Sequence, residues 1–539
     1  MKFLFIIILC FGFLAACTER APEISYIEPS IGRMGEVLTI RGSGFGSERS
    51  ESYVTIAGIP PTSSSYISWS DNEIAVVLPE FGDAGLIFVH RGRLRSNPVL
   101  FANEVTIPQP VRGSDLGNGP RIVSIEPASG AVGSLITIHG NNFGRSRENS
   151  GVFFSWGAEA SPAVPVGIQS PGFVEAFELE FAYDLWSERE IRVRVPSGAI
   201  SGNLEVRTPR GNSRPVFFEL TGKPGTKTFR DRRTYVLSYM VDLQIGRAVP
   251  PNALYIWMPK PVVSAHQRNV RLLSRCTEPF VEYHRGTSLF KYIDTKSGNN
   301  HRITVSYLVE VYAVETNIRT QTPVRLNQPS PVGTVYTLPS ALIPSDNPQI
   351  IALANQIIGN ERFVHARAQR IYNWIISNIE IQASPLTGGV MEALEERRAD
   401  SYRAALLFCA LARAAGIPAI PVAGVLVNRL RGTTRHFWAE FWLDGFGWIP
   451  LDPALGAGAA PDNFVLREDY ARFYFGNMDN QRIAFSRGER QLSQMTPRGR
   501  ITQRTREFSL QNLWEEAVGG LESYSSLWSD VTITGMYVQ

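Results

Sequence analysis

Two stretches of the sequence repeat each other, and this repeat constrains most strongly how the first part of the chain can fold. Residues 24–46 and 122–144 share the pattern I-x-x-I-x-P-x-x-G-x-x-G-x-x-x-T-I-x-G-x-x-F-G, 98 residues apart (125 − 27). A Glu-Ile pair followed by proline recurs 117 residues apart (190 − 73), which predicts an insertion in the second copy within 150–185. Because alternating apolar residues bounded by Gly and Pro are typical of short strands and turns, we expect two β domains.

The repeated pattern resembles the IPT/TIG family of immunoglobulin-like domains. The resemblance covers both copies and sets the expected domains at 22–105 and 120–221. It implies Ig-like β-sandwiches that act as spacers or binding modules.

The N-terminus has the pattern of an export signal, predicted at 1–16. Lys2 precedes an apolar run, 3–13, that is too short to span a bilayer. The sequence Leu-Ala-Ala-Cys at 14–17 resembles a bacterial lipobox, which implies cleavage before Cys17 and lipidation of that residue, for example with palmitate. The alternative is an ordinary signal peptide with a chance cysteine.

Lipidation of Cys17 would anchor the chain to a membrane. Each buried acyl CH₂ group contributes about 0.8 kcal/mol, so several chains hold a soluble protein in place. No other apolar run reaches ~18 residues, so we expect a protein that is anchored in the bacterial cell envelope and does not span the membrane. Thr18 stands where an aspartate signals inner-membrane retention in some bacteria, which favours the outer membrane.

The composition limits the classes of protein to which this chain can belong. The chain has 539 residues, 44% of them hydrophobic and 19% charged, which is typical of several folded domains. A formal net charge of +3 without a dense Lys/Arg block gives no support for nucleic-acid binding. Beyond Cys10 and Cys17, only Cys276 and Cys409 remain, which is too few for a disulfide framework, although one bridge stays possible.

The second half of the chain changes from strand to helix patterns. Segments of period-two alternation within 227–318 predict a further β-sandwich. Apolar spacing of three and four residues then predicts helices from near Ser345, with Pro348 in the first turn, from about Arg362 and from Ser401, the last of them ending at Gly416. Three strands are expected to follow, at 422–427, 437–443 and 448–451. In the C-terminal extension, 486–539, we predict a strand at 531–533 and one amphipathic helix, which would include Leu510, Leu513, Trp514 and Ala517.

Residues 399–453 carry the motifs that bear on chemistry. The sequence H-x-W-A-E begins at His436, a turn follows, and G-W-x-P-x-D-P places Asp452 at the end of the returning strand. An antiparallel hairpin of this spacing brings Asp452 near His436. These motifs resemble a transglutaminase-like domain of papain type, expected at 338–485. The resemblance implies a nucleophile at a helix N-terminus, with His436 as base and Asp452 orienting it.

The residue at the family's nucleophile position is Ser401. The family places cysteine fifteen residues before the glycine of G-I-P-A, here Gly416, and this chain has serine there. Cys409 lies eight residues further on, about 12 Å along a helix, among apolar residues, which indicates a buried structural thiol. Serine can attack only if His436 removes its proton and an oxyanion hole is formed, and its shorter bond to carbon misplaces the oxygen in a site shaped for sulfur.

Three functions are compatible with this residue set. The first is a pseudoenzyme that binds a peptide, a peptidoglycan fragment or a protein partner. The second is a serine hydrolase or acyltransferase that acts on amide bonds through Ser401, His436 and Asp452. The third is an adhesive or structural envelope protein that acts through its Ig-like domains. The sequence shows no nucleotide-binding or metal-ligand motif, so we expect neither a cofactor nor a metal.

Overall fold

Each copy of the repeat folds into two β-sheets around a buried apolar core. The computed structural model describes residues 21–79, 85–103, 119–157, 172–222, 224–319 and 330–538, and the chain divides into two units, 1–108 and 109–539. The predicted signal peptide 1–16, Cys17, Thr18 and part of the predicted insertion, 158–171, lie outside the described residues.

The first unit holds the first Ig-like domain. Its strands are β1 (Glu23–Glu28), β2 (Ile31–Gly32), β3 (Val37–Ser43), β4 (Tyr53–Ile56), β5 (Tyr66–Trp69), β6 (Glu73–Val77), β7 (Gly85–Arg91), β8 (Leu94–Arg95) and β9 (Val99–Asn103). One sheet contains β1, β3, β6 and β5, and the other contains β2, β9, β7 and β4, with β8 paired to β7. A single buried cluster joins the two sheets.

The second Ig-like domain repeats this arrangement within the second unit. Its strands are β10 (Arg121–Glu126), β11 (Ser129–Gly130), β12 (Leu135–Asn141), β13 (Gly151–Trp156), β14 (Gly172–Glu175), β15 (Tyr183–Trp186), β16 (Glu190–Arg194), β17 (Gly202–Thr208), β18 (Gly211–Asn212) and β19 (Val216–Leu220). The sheets have the orders β10-β12-β16-β15 and β11-β19-β17-β13-β14. Strand β14 lies in the predicted insertion and has no counterpart among the described residues of the first domain.

A shared glycine explains part of the repeated pattern. A side chain at Gly42 would lie 1.9 Å from the carbonyl oxygen of Glu23, and one at Gly140 would lie 2.1 Å from that of Arg121. In both domains the phenylalanine three residues later closes the same space, since its ring would also meet the added carbon. The F-G and T-I-x-G parts of the pattern therefore specify one close approach between neighbouring strands.

A β-rich segment follows the second Ig-like domain. Its strands are β20 (Gly225–Pro259), β21 (Gln267–Arg275), β22 (Val281–His284), β23 (Thr287–Ile293) and β24 (Asn300–Ile318). The 35-residue β20 pairs antiparallel with β24 over its first half and with β23 over its second half. The two segments predicted as strands by their period-two alternation, 235–241 and 303–309, lie in β20 and β24, and the segment 253–259 between them is the end of β20.

The next segment contains the helices and a four-stranded sheet. Its elements are α1 (Pro331–Val335), α2 (Pro348–Ile358), α3 (Val364–Asn378), β25 (Glu380–Ile381), α4 (Val390–Glu396), β26 (Arg398–Ala399), α5 (Ser401–Ala414), β27 (Ala419–Val427), β28 (Thr433–Leu443), β29 (Gly447–Leu451), α6 (Pro453–Gly456), α7 (Tyr470–Phe473) and β30 (Arg482–Arg487). The sheet order is β29-β28-β27-β30. The predicted helix starts and the three predicted strands are confirmed within a few residues.

The C-terminal residues complete the β-rich segment, and the amphipathic helix predicted there is wrong. The elements are β31 (Arg500–Thr502), β32 (Glu515–Trp528) and β33 (Thr532–Val538). Both β32 and β33 pair with β20, so Ala517 lies opposite Leu254 in a sheet. Trp514 packs edge-on against Trp528, with ring centroids 4.9 Å apart. Strand pairing over 14 residues buries these apolar side chains better than an isolated helix would.

The predicted fold class is confirmed: two Ig-like domains, a further β-rich region and an α+β domain follow one another along the chain. None of the described helices is long and apolar enough to cross a membrane. Both cysteines of the described part are unpaired, Cys276 at the surface and Cys409 in the interior.

Candidate active site

Helix α5 places Ser401 at its N-terminus. Asp400 is the N-cap, and its Oδ1 accepts a hydrogen bond of 2.9 Å from the backbone N–H of Arg403. From Tyr402 to Arg413 every residue of α5 is buried, which fixes the helix in the centre of its domain. Ser401 itself is half-buried. It therefore lies where unpaired N–H groups and the helix dipole favour negative charge.

Strands β28 and β29 bring His436 and Asp452 into contact. In their antiparallel register, Ala439 lies opposite Leu451 and Leu443 lies opposite Gly447. Asp452 follows β29 directly, and its Oδ2 lies 2.8 Å from Nε2 of His436. Both side chains are buried. The predicted pairing of the histidine with the aspartate is present, and it leaves Nδ1 of His436 as the ring nitrogen that can accept a proton.

Asp452 is held ionised by the groups around it. Burial alone raises the pKa of this carboxyl, but the charge and hydrogen bond of His436 and the charge of Arg482 lower it to about 2. Its Oδ1 also accepts from the backbone N–H of Leu455, at 3.0 Å, as the N-cap of α6. An ionised Asp452 fixes the proton of His436 on Nε2.

Arg482 is a site residue that sequence reasoning missed. Its Nη1 donates to Oδ2 of Asp452 at 2.9 Å, and its Nη2 donates to Oδ2 of Asp479 at 2.7 Å. The guanidinium also lies over the ring of Trp438, 5.0 Å from the centroid. Because Arg482 and His436 share one carboxylate oxygen, Asp452 divides its charge between them. No local sequence pattern indicates this role for Arg482.

Ser401 and His436 are neighbours through their elements. Tyr402 packs edge-on against Phe437, with ring centroids 4.9 Å apart, and these residues directly follow Ser401 and His436. Among the hydrogen bonds of the described residues, none joins the hydroxyl of Ser401 to the ring of His436. The structure therefore brings His436 and Asp452 into contact and sets Ser401 on the adjacent helix end without a direct bond.

Cys409 is buried, as predicted, in the middle of α5. Burial raises the pKa of its thiol to about 12, so it stays protonated at neutral pH. In the part of the chain that the structure describes, no group of three or more His, Cys, Asp or Glu side chains is arranged to hold a metal ion.

The C-terminal extension reaches the start of α5. Arg506 donates to Oδ2 of Asp400 and to the carbonyl of Gly388, and its guanidinium lies 4.3 Å from the ring centroid of Tyr402. The next residue, Glu507, pairs with Arg435 at 3.1 Å, beside His436. The extension thus braces both elements of the candidate site, a contact that no local sequence pattern indicated.

Comparison with protein families agrees with this geometry. The model of the transglutaminase-like superfamily matches residues 351–453, which include Ser401, His436 and Asp452. The chain carries a transglutaminase-like domain. The IPT/TIG domain model matches residues 22–102 and 120–158, within the two Ig-like domains.

Individual relatives share only parts of this chain. An uncharacterized protein of Haemophilus influenzae is 28% identical over 166 residues, which are 24% of this chain and 44% of that protein. The cyclomaltodextrin glucanotransferase of Paenibacillus macerans is 37% identical over 62 residues, 12% of this chain and 8% of the enzyme. The chain thus spans less than half the length of these curated relatives. Among solved structures, the periplasmic domain of TgpA from Pseudomonas aeruginosa is similar at 16% identity and a TM-score of 0.24, over 40% of this chain and 87% of that domain.

Proposed function

We propose that the transglutaminase-like domain binds its ligand without turning it over. One observation carries this proposal. His436 and Asp452 are in contact, but Ser401 makes no hydrogen bond to His436 in the described chain. A helix N-terminus and a histidine bring a thiol into its ionised range, but they do not bring a serine hydroxyl there. Serine needs its base in direct contact during attack.

We propose a peptide, a peptidoglycan fragment or a protein partner as the ligand. Papain-type clefts are shaped for extended peptide segments, and peptidoglycan carries peptides in the bacterial envelope. The lipobox-like sequence at 14–17 supports anchoring of the protein through a lipid on Cys17, on the outer-membrane side of the envelope.

An active serine hydrolase or acyltransferase is the second candidate. The 2.8 Å contact between His436 and Asp452, and the ionised state of Asp452, favour it, because they supply a base with a fixed tautomer. Ser401 would be the nucleophile, and Nδ1 of His436 would take its proton.

Reaction with a fluorophosphonate probe separates the two candidates. The probe forms a stable bond only with a serine that a base activates. We expect no labelling of the wild-type protein at Ser401, measured by mass spectrometry of its peptides. Labelling that disappears in both Ser401→Ala and His436→Ala would contradict the binding proposal and support the serine enzyme. Ser525→Ala, a serine on the distant strand β32, serves as the matched control.

A further inference from the structure

The second Ig-like domain packs directly against the transglutaminase-like domain. A single buried cluster contains its core residues together with Trp438, Trp442 and Trp448 from the sheet that carries the candidate site. Val132 also forms a β-bridge with Gly445, in the turn between β28 and β29. This contact joins the second Ig-like domain to the β28–β29 hairpin, which brings His436 and Asp452 together.

The residues at the contact differ from their counterparts in the described part of the first copy of the repeat. Val132 is 6% exposed, and its counterpart in the first domain, Met34, is 66% exposed. The short helical turn Glu178–Glu180 places the buried Glu180 at the interface, whereas the equivalent turn of the first domain, Ser63–Ser65, has only serines. Two domains with the same fold thus differ at this surface, which indicates that the second one is built for the contact.

Ser197 and Lys227 hold the outer edge of β29. Trp448 points its backbone N–H and carbonyl away from β28, where Ser197 Oγ accepts from the N–H at 3.2 Å and Lys227 Nζ donates to the carbonyl at 2.7 Å. Lys227 Nζ also donates to Ser197 Oγ, at 3.0 Å, and to the carbonyl of Phe446, at 3.4 Å. Gly447 permits this approach, since a side chain there would lie 2.3 Å from Ser197 Oγ.

The space around Lys227 excludes a substrate. Its cavity has a volume of about 20 Å³, room for about one water molecule. Besides Lys227, the ionisable groups that line it are Glu180, His266, Glu440 and Arg487, and Glu440 pairs with Arg487 at 2.5 Å. Ser197 and Lys227 have the residue types of a nucleophile and a base, but in this enclosed place they can act only on the backbone that they hold.

We propose that Ser197 and Lys227 are positioning residues, which keep β29 in the register that places Asp452 against His436. Strand β29 has five residues; it pairs with β28 on one side, and on its other side Leu451 forms an isolated β-bridge with Phe475. At the edge of β29 that faces away from β28, the side chains of Ser197 and Lys227 bind the backbone of Trp448. Further along the same edge, the N–H of Gly476 donates to the carbonyl of Pro450, and the N–H of Asp452 donates to the carbonyl of Tyr474. Loss of the Ser197 and Lys227 side chains would release the Trp448 end of this edge, and a movement of about 1 Å at Asp452 would lengthen the 2.8 Å contact beyond hydrogen-bond range.

The proposal rests on the proposed role of the cleft, but its test does not require a ligand. The ring N–H of His436 is hydrogen-bonded to Asp452 and buried, so we expect it to give a slowly exchanging proton signal in ¹⁵N-histidine-labelled protein, assigned by its loss in His436→Gln. In Lys227→Met we expect this signal to be lost or to exchange with solvent about tenfold faster, which corresponds to about 1.4 kcal/mol and is within the range for the loss of one hydrogen bond. Lys227→Arg, which keeps a charged donor, restores it.

Two further variants keep the test decisive. Ser197→Ala removes the bridging oxygen with little change in volume, and it answers the question if Lys227→Met does not fold. Lys260→Met is the matched control, since Lys260 is bonded to Glu282, away from the hairpin. A wild-type exchange rate in a folded Lys227→Met or Ser197→Ala protein would overturn the proposal. The exchange rate of the His436 ring proton does not depend on whether the cleft binds a ligand. Failure of the proposed function would therefore be detected separately, in binding assays.

Discussion

The guanidinium of Arg482 lies 2.9 Å from the carboxylate of Asp452, and both side chains are fully buried. This ion pair joins the carboxylate that contacts His436 to a strand, β30, at the opposite edge of the sheet. The candidate site is therefore a network of four side chains, His436, Asp452, Arg482 and Asp479, and each of its charges depends on the others.

Replacement of Arg482 should destabilise the protein strongly. Arg482→Met leaves Asp452 and Asp479 buried without a cation, and loss of one partner from such a pair costs about 3–5 kcal/mol. Urea unfolding followed by tryptophan fluorescence measures the change. Arg302→Met is the matched control, because Arg302 forms an exposed pair with Asp242 and its loss should change stability far less. Equal effects of the two substitutions would contradict the network.

Glu180 should make stability fall as the pH rises. Burial raises the pKa of this carboxyl from 4.5 to about 7, although the N–H of Ser197 and the charges of Arg487 and Lys227 act to lower it. A carboxyl whose pKa is higher in the folded protein binds its proton more tightly there, so its contribution is present below about pH 4.5 and is lost as the pH rises through 7.

Glu180→Gln removes this titration. Relative to the wild type, the variant should gain about 2 kcal/mol in free energy of unfolding between pH 5 and pH 8. Thermal or urea unfolding across this range gives the difference. Glu219→Gln, an exposed position in the same domain, should show no such trend. If the free energy of unfolding depended on pH in the same way in the wild type and in Glu180→Gln, the prediction would be contradicted. A further group would then lower the pKa of Glu180 in solution.

Arg506 should protect the N-terminus of α5 from local opening. Arg506→Ala removes the ion pair with Asp400 and the contact with the ring of Tyr402, while the cap of Asp400 on Arg403 remains. We expect faster amide exchange at residues 401–404 and a loss of about 1 kcal/mol in stability. Hydrogen–deuterium exchange with mass spectrometry measures it, with the exposed Arg498→Ala as control. Unchanged exchange at the helix start would mean that the extension does not brace it.

The sequence predicted the parts of the site that rest on local patterns. Helix α5 was expected at Ser401 because its apolar spacing is helical and Gly416 ends it, and the hairpin was expected because His436 and Asp452 flank a Gly-rich turn. These features depend on residues close together in the chain, so periodicity and turn chemistry are sufficient to find them.

The parts that were missed depend on contacts between distant residues. Arg482 is 30 residues from Asp452 and Arg506 is 106 residues from Asp400, and nothing local distinguishes these arginines from others in the chain. The helix predicted around Trp514 failed for the same reason. Its three- and four-residue apolar spacing is real, but pairing of β32 with β20, more than 200 residues earlier, determines the conformation.

The thiol pKa of Ser401→Cys tests the central claim most directly, namely that the site retains the setting of a papain-type nucleophile and lacks only the sulfur. The substitution is made in a Cys276→Ser background, so that the buried Cys409 is the other thiol of the described chain, and the rate of alkylation by iodoacetamide is measured against pH. We predict a thiol pKa well below the ordinary value of ~8.5, which returns toward that value when His436→Ala is added. A pKa near 8.5 that His436→Ala does not change would contradict the account.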